Sequence, residues 1–112
     1  MIFNRAIAAM AFVMFANVAM AEGVLKGDAA AGEALSASCA ACHGTDGNSL
    51  APTFPKLAGL GERYLLKQMK DIRDGRRPVA LMAGQVDNMT DQKLADLAAF
   101  YDSHERTTGT TD

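Results

Sequence analysis

Cys39-Ala40-Ala41-Cys42-His43 is a C-x-x-C-H run and holds the side chains of this sequence best suited to chemistry. Two thiols three positions apart, with an imidazole directly after the second, form the attachment pattern of c-type haem. Each thiol can add across one porphyrin vinyl, and the adjacent imidazole is then held under the iron as its proximal ligand. The spacing suits one helical turn, which carries both sulfurs past neighbouring vinyls while keeping the ring near the porphyrin centre. No other cysteine occurs, so no second use competes for these two.

Three plainer uses of the thiols fit less well. A thioredoxin-like C-x-x-C wants a βαβ context, and no convincing strand pattern is present. A structural zinc site needs four Cys or His ligands. The chain offers only Cys39, Cys42, His43 and the remote His104, and His43 is poorly placed to share a tetrahedral ion with its neighbour Cys42. A disulfide would leave the following histidine unexplained.

An iron with one histidine needs its sixth position explained. An open position serves gas binding or peroxide chemistry, and one closed by Met or His serves electron transfer. Beyond the first 21 residues the methionines are Met69, Met82 and Met89. Met69 falls on the apolar face of a helix, where methionine more often fills a core. Met89 precedes a helix start and can act as a hydrophobic staple. Met82 stands in an irregular stretch between Pro78 and Gly84, free to reach over a flat cofactor, and is the leading candidate. His104, near the polar end of the chain and read as a surface residue, is its rival.

The elements that must position these groups read as helices joined by loops. Asp28 is an N-cap for a first helix running through Ala31, Gly32 and Leu35 toward Cys39. Gly44, Gly47, Pro52, Pro55, Gly59 and Gly61 break the chain into a loop with short turns. Glu62 to Asp74 reads as a second helix with Leu65, Met69 and Ile72 on one face, closed by Gly75. Arg76 to Asn88 is irregular. Thr90 then caps a last helix, with Asp91 well placed against the helix dipole and Leu94, Leu97, Ala98 and Tyr101 as its buried stripe.

The first 21 residues stand apart. Arg5, an apolar run from Ala6 to Ala16 and the small-x-small Ala19-Met20-Ala21 read as an export signal expected to be cleaved after Ala21, with an uncleaved membrane anchor as the alternative. The run is too short for a span of about 20 apolar residues. Removing 21 of the 112 residues leaves 91 with 10 basic and 13 acidic side chains, a net of −3. That is one small domain, 22–106, ending in a polar tail, 107–112, expected to be disordered. So short a chain gains from a covalent staple. The acidic balance argues against nucleic acid as a partner. The stretch Lys56 to Arg77 is locally basic, with seven cationic against three acidic side chains. It reads either as a solvated helix face or as a docking patch.

Beyond C-x-x-C-H, the run continues as Gly44-Thr45-Asp46-Gly47-Asn48-Ser49. Further on stand Ala51-Pro52-Thr53-Phe54-Pro55-Lys56-Leu57-Ala58-Gly59, Glu62 to Gln68, Asp74-Gly75-Arg76, Met82-Ala83-Gly84, Thr90-Asp91-Gln92 and Leu97 to Tyr101. Together they resemble a small class I cytochrome c. The likeness is strongest to one haem domain of the bacterial cytochrome c4 group and its single-haem relatives, and it covers the whole chain after the signal. It implies an all-α class I cytochrome c fold, with three main helices and loops packed around one covalently attached haem c. It makes Cys39 and Cys42 the thioether positions, His43 the proximal and Met82 the distal iron ligand. The Pro55 carbonyl would take the other nitrogen of His43, and Gly32 would pack against Phe100.

The function implied is one-electron transfer without catalysis, in the periplasm, since such haems are attached outside the cytoplasm. Partners would be redox proteins such as an oxidase, a reductase or a flavoprotein, with membranes met only through partner complexes. Cytochrome c4 proteins carry two such domains and this chain has one motif, so haem-to-haem transfer would need a homodimer, which the sequence leaves open. The alternative is the cytochrome subunit of a flavocytochrome complex resembling sulfide dehydrogenase. A five-coordinate haem that binds gas or turns over peroxide is a third reading.

Overall fold

A computed structural model describes residues 25–108. The expected export signal and residues 109–112 of the expected tail lie outside the described residues. Among the described residues the regular elements are α1 (Ala29–Leu35), α2 (Ala37–His43), α3 (Glu62–Arg73), a 3-10 turn at Ala80–Met82 and α4 (Asp91–Asp102), with no strand. No helix among them is long and apolar enough to cross a membrane.

α1 starts where the Asp28 carboxylate accepts from the Ala30 and Ala31 amides, at 2.9 and 3.3 Å. The helix is short, and its stability comes from what it lies on rather than from its own hydrogen bonds. It lies on α4. A Cβ built at Gly32 would sit 2.0 Å from the Asp96 carbonyl oxygen and 2.8 Å from the Phe100 Cβ. The two backbones are therefore in direct contact, and the expected Gly32–Phe100 pairing is the seam of that contact. Asp96, buried beneath it, accepts from the Asp28 amide at 2.8 Å and from Gln92 Nε2 at 2.9 Å. Glu62, in the first turn of α3, accepts from the Gly27 amide.

The single first helix expected from the sequence is two helices, giving four rather than three. Ser36 divides them. Its hydroxyl and its amide both donate to the Glu33 carbonyl, at 2.7 and 3.1 Å. A serine that bonds back to its own helix competes with the next turn and ends it. The chain restarts at once, because the Ser36 carbonyl accepts from the Cys39 and Ala40 amides.

α3 and α4 run antiparallel, pinned at both ends. The Gly61 amide, at the start of α3, donates to Asp102 at the end of α4 (2.8 Å). Arg73, at the end of α3, pairs with Asp91 at the start of α4 (2.6 Å). Between them Leu65 and Leu66 meet Leu94, Leu97, Ala98, Phe100 and Tyr101, with Val86 from the intervening loop. Leu65 of the expected α3 face is buried, while Met69 and Ile72 are half-buried against this core. Thr90 caps α4 through its hydroxyl, which accepts from the Lys93 amide.

Because the α1–α4 seam has no room for a methyl, Gly32→Ala should cost about 3 kcal/mol, the upper range for overpacking. Denaturant unfolding should show a lower midpoint with an unchanged slope.

Candidate haem site

α2 carries the C-x-x-C-H run, with His43 buried, Cys39 half-buried and Cys42 exposed. Both thiols are free. The helix stops on Gly44, whose φ of +82° is a conformation side chains rarely adopt, and whose amide donates to Ala40. That reversal turns the following loop back over the His43 ring. There His43 Nδ1 lies 2.8 Å from the Pro55 carbonyl oxygen. A carbonyl only accepts, so Nδ1 holds the proton and Nε2 keeps its lone pair for a metal. Phe54, the residue before Pro55, stands edge-on to the imidazole with ring centres 6.5 Å apart.

Met82 sits at the end of the 3-10 turn, half-buried and packed against the core. The loop that carries it, 74–90, is closed by Arg73. The guanidinium donates from Nη1 to the Met89 carbonyl (3.1 Å), pairs with Asp91, and grips Asp74 through Nε at 2.8 Å. Met69 and Met89 are likewise half-buried against the core. His104 differs from its expected place on the surface. It is half-buried, its Nδ1 donates to the Phe100 carbonyl at 2.8 Å, and its ring stands edge-on to Phe100. The helical i−4 carbonyl and the aromatic edge together draw it in. It belongs to the end of α4.

The basic stretch is largely spent on internal ion pairs. Lys67 and Arg76 hold Asp71, Arg76 also holds Asp74, and Lys70 and Arg73 hold Asp91.

Three further side chains gather at the site without the sequence having given them a place there. The Tyr101 hydroxyl is fully buried beside Cys39 and Ser36, yet no group meets it at hydrogen-bond geometry. Burial, and then the neighbouring thiol, push its pKa up, so it stays a neutral O–H beside the Cys39 sulfur. Asn48 and Lys56, both buried, flank the Pro55 loop. The Asp46-Gly47-Asn48 turn signal hints at Asn48, but a lysine between proline and leucine gives no sign that it will be buried.

The donor set fits a covalently attached haem and does not fit a bare ion. Two unpaired thiols and one oriented imidazole lie on a single short helix, and Met82 occupies a separate loop on the same core. Among the described residues no three or more His, Cys, Asp or Glu side chains cluster as a metal site.

Residues 29–105 match the family model described as Cytochrome c. Cytochrome c4 of Pseudomonas aeruginosa is 62% identical over 86 residues, covering 77% of this chain and 43% of that protein. Cytochrome c-554(548) of Halomonas halodenitrificans is 48% identical over 82 residues, 70% of this chain and 99% of that one. The crystal structure of reduced recombinant cytochrome c4 from Pseudomonas stutzeri superposes with a TM-score of 0.72 at 51% identity, covering 74% of this chain and 48% of that one. The chain thus spans less than half the length of the cytochrome c4 proteins it matches.

The ion-pair cluster around Arg73 gives the Met82 loop a pH signature. Arg73 holds the Asp74 and Asp91 carboxyls below the usual carboxylate range, and Lys67, then Arg76, do so for Asp71. Carboxyls depressed in the folded state contribute stability fully above their unfolded pKa of about 3.9 and lose it as the pH falls through the folded values. The thermal midpoint should hold at neutral pH and drop on acidification below about pH 4. In Arg73→Ala it should start a few degrees lower, drop less in acid, and show faster amide hydrogen exchange across 75–90.

Proposed function

The chain belongs to the cytochrome c family, and we propose that it is a periplasmic one-electron carrier whose haem iron is held by His43 and Met82. It has the all-α class I cytochrome c fold and one domain of the kind that carries covalent haem c, the cofactor of a family of electron carriers. The observation that supports the axial assignment best is the His43–Pro55 hydrogen bond. It leaves Nε2 unprotonated, on a helix whose two cysteines are both free.

Bound through Cys39 and Cys42, the haem supplies a single-electron couple that accepts from a reduced partner and gives to an oxidised one, with no atom transferred. The protein's part is to hold still. Pro55 fixes the tautomer and orientation of His43. Arg73 closes the loop from which Met82 reaches the other face. Leu65, Leu97 and the half-buried Met69 supply an apolar wall that keeps water away. Because neither ligand has to move, little reorganisation accompanies each transfer.

Residues 1–21 act as the export signal, cleaved after Ala21, and the partners are redox proteins on either side of the transfer: an oxidase, a reductase or a flavoprotein.

Visible spectra of the exported protein, oxidised and reduced, together with its mass, test this reading. One haem beyond the mass of residues 22–112 and a weak far-red band from Met-to-iron coordination are expected. Met82→Ala should abolish that band, speed carbon monoxide binding and lower the potential by a sizeable part of the roughly 0.8 V that axial ligands control. A Met82→Ala protein with the native spectrum and potential would overturn the distal assignment. Purification as a single chain is expected, and a tightly bound yellow flavoprotein would favour the flavocytochrome subunit instead.

A further inference from the structure

After α4 the chain does not trail away. The residues leaving it turn back across the loop that bears Pro55 and are bonded to it on two sides. Asn48, 9% exposed, donates from Nδ2 to the Glu105 carbonyl at 2.9 Å. Its Oδ1 accepts from the Thr107 amide at 2.9 Å and from the Thr107 hydroxyl at 3.1 Å. A second bond from Nδ2 reaches Asp46 at 3.1 Å, so the amide is locked at both ends. On the far side of the loop, Lys56, 3% exposed, donates from Nζ to the Thr107 carbonyl at 2.8 Å. The Arg106 guanidinium in turn donates to the Lys56 carbonyl at 3.4 Å. The polar tail expected from residue 107 onward therefore begins with a residue tied into the fold.

These bonds bear on the proximal side of the site through peptide geometry. The Pro55 carbonyl lies in the rigid plane of the peptide that joins it to Lys56. Anchoring the Lys56 side chain and its own carbonyl limits how far that plane can rotate, and the plane aims the oxygen that His43 Nδ1 meets at 2.8 Å. Asn48 fixes the other shoulder of the same loop, where its amide and its Nδ2 both donate to the Asp46 carboxylate.

We propose that Glu105–Thr107 is a strap that holds the Pro55 carbonyl on His43, making Asn48 and Lys56 positioning residues for the axial histidine. This rests on His43 being the iron ligand. An imidazole that donates firmly from Nδ1 is the more basic ligand at Nε2 and favours ferric iron. Loosening the strap should therefore weaken the Nδ1–H bond and raise the reduction potential.

The test uses the holoprotein and compares wild type, Asn48→Ala and Gln92→Ala. The last removes bonds to Lys26 and Asp96 at the α1–α4 seam, away from the strap. Exchange of the His43 Nδ1 proton is followed by NMR, the potential by redox titration, and stability by thermal unfolding. Asn48→Ala, which removes three bonds to the strap, should exchange at least about tenfold faster, and its potential should rise. Gln92→Ala should lower only the melting midpoint. A lower midpoint for Asn48→Ala with wild-type exchange and potential would overturn the strap, as would equal changes in Gln92→Ala. If Asn48→Ala yields no holoprotein, Lys56→Met is read by the same criteria. A wild-type protein without a haem spectrum would overturn the axial reading and the strap together, whereas a coloured variant with unchanged exchange overturns the strap alone.

Discussion

The contact on which everything else is built is the seam between α1 and α4, where glycine lets one helix backbone rest on the carbonyls of another. A seven-residue helix has little stability of its own. Laid against α4 and fastened through the Asp28–Asp96 bond, it becomes a fixed arm. The Ser36 break then sets the angle at which α2 leaves that arm. The C-x-x-C-H run is placed by this chain of constraints and needs no strong core of its own.

Two loops serve the candidate iron ligands, one carrying Met82 and one whose Pro55 carbonyl meets His43 at the end of α2, and both are held by hydrogen bonds. Loops of this length would sample many conformations if left free, and ordering each residue costs on the order of 1–2 kcal/mol. The molecule answers with a few well-placed polar groups rather than with more apolar burial. Asn48 and Lys56 bracket the Pro55 loop, and Arg73 closes the Met82 loop. In both cases a backbone carbonyl is the acceptor, so the bonds fix the path of the chain itself.

Much of this was legible in the residues. The C-x-x-C-H spacing, the cap at Thr90 and the α4 stripe are local signals with strong physical causes, and α3 ends at Arg73, one residue short of its expected limit. What escaped were effects that depend on distant partners. Ser36 reads as a tolerable helix residue until its hydroxyl is seen to take the Glu33 carbonyl. His104 reads as a surface residue until Phe100 offers it both a carbonyl and an aromatic edge. The basic stretch reads as a possible docking face, whereas one of the acids that hold it, Asp91, lies outside the window. Lys56 is the hardest case, because nothing nearby in sequence signals that the acceptor for its ammonium lies 51 residues away.

The pinning of α4 at both termini has a thermodynamic corollary. Asp102 secures the entry to α3 and Asp91 its exit, while the backbone continuing past Ser103 reaches the Pro55 loop. Opening α4 would thus loosen the His43 side and the Met82 side in one event. Small openings loosen one loop at a time, whereas full release of either candidate ligand in such a domain would pass through the opening of α4. Its redox centre and its fold should melt as a single cooperative foldon.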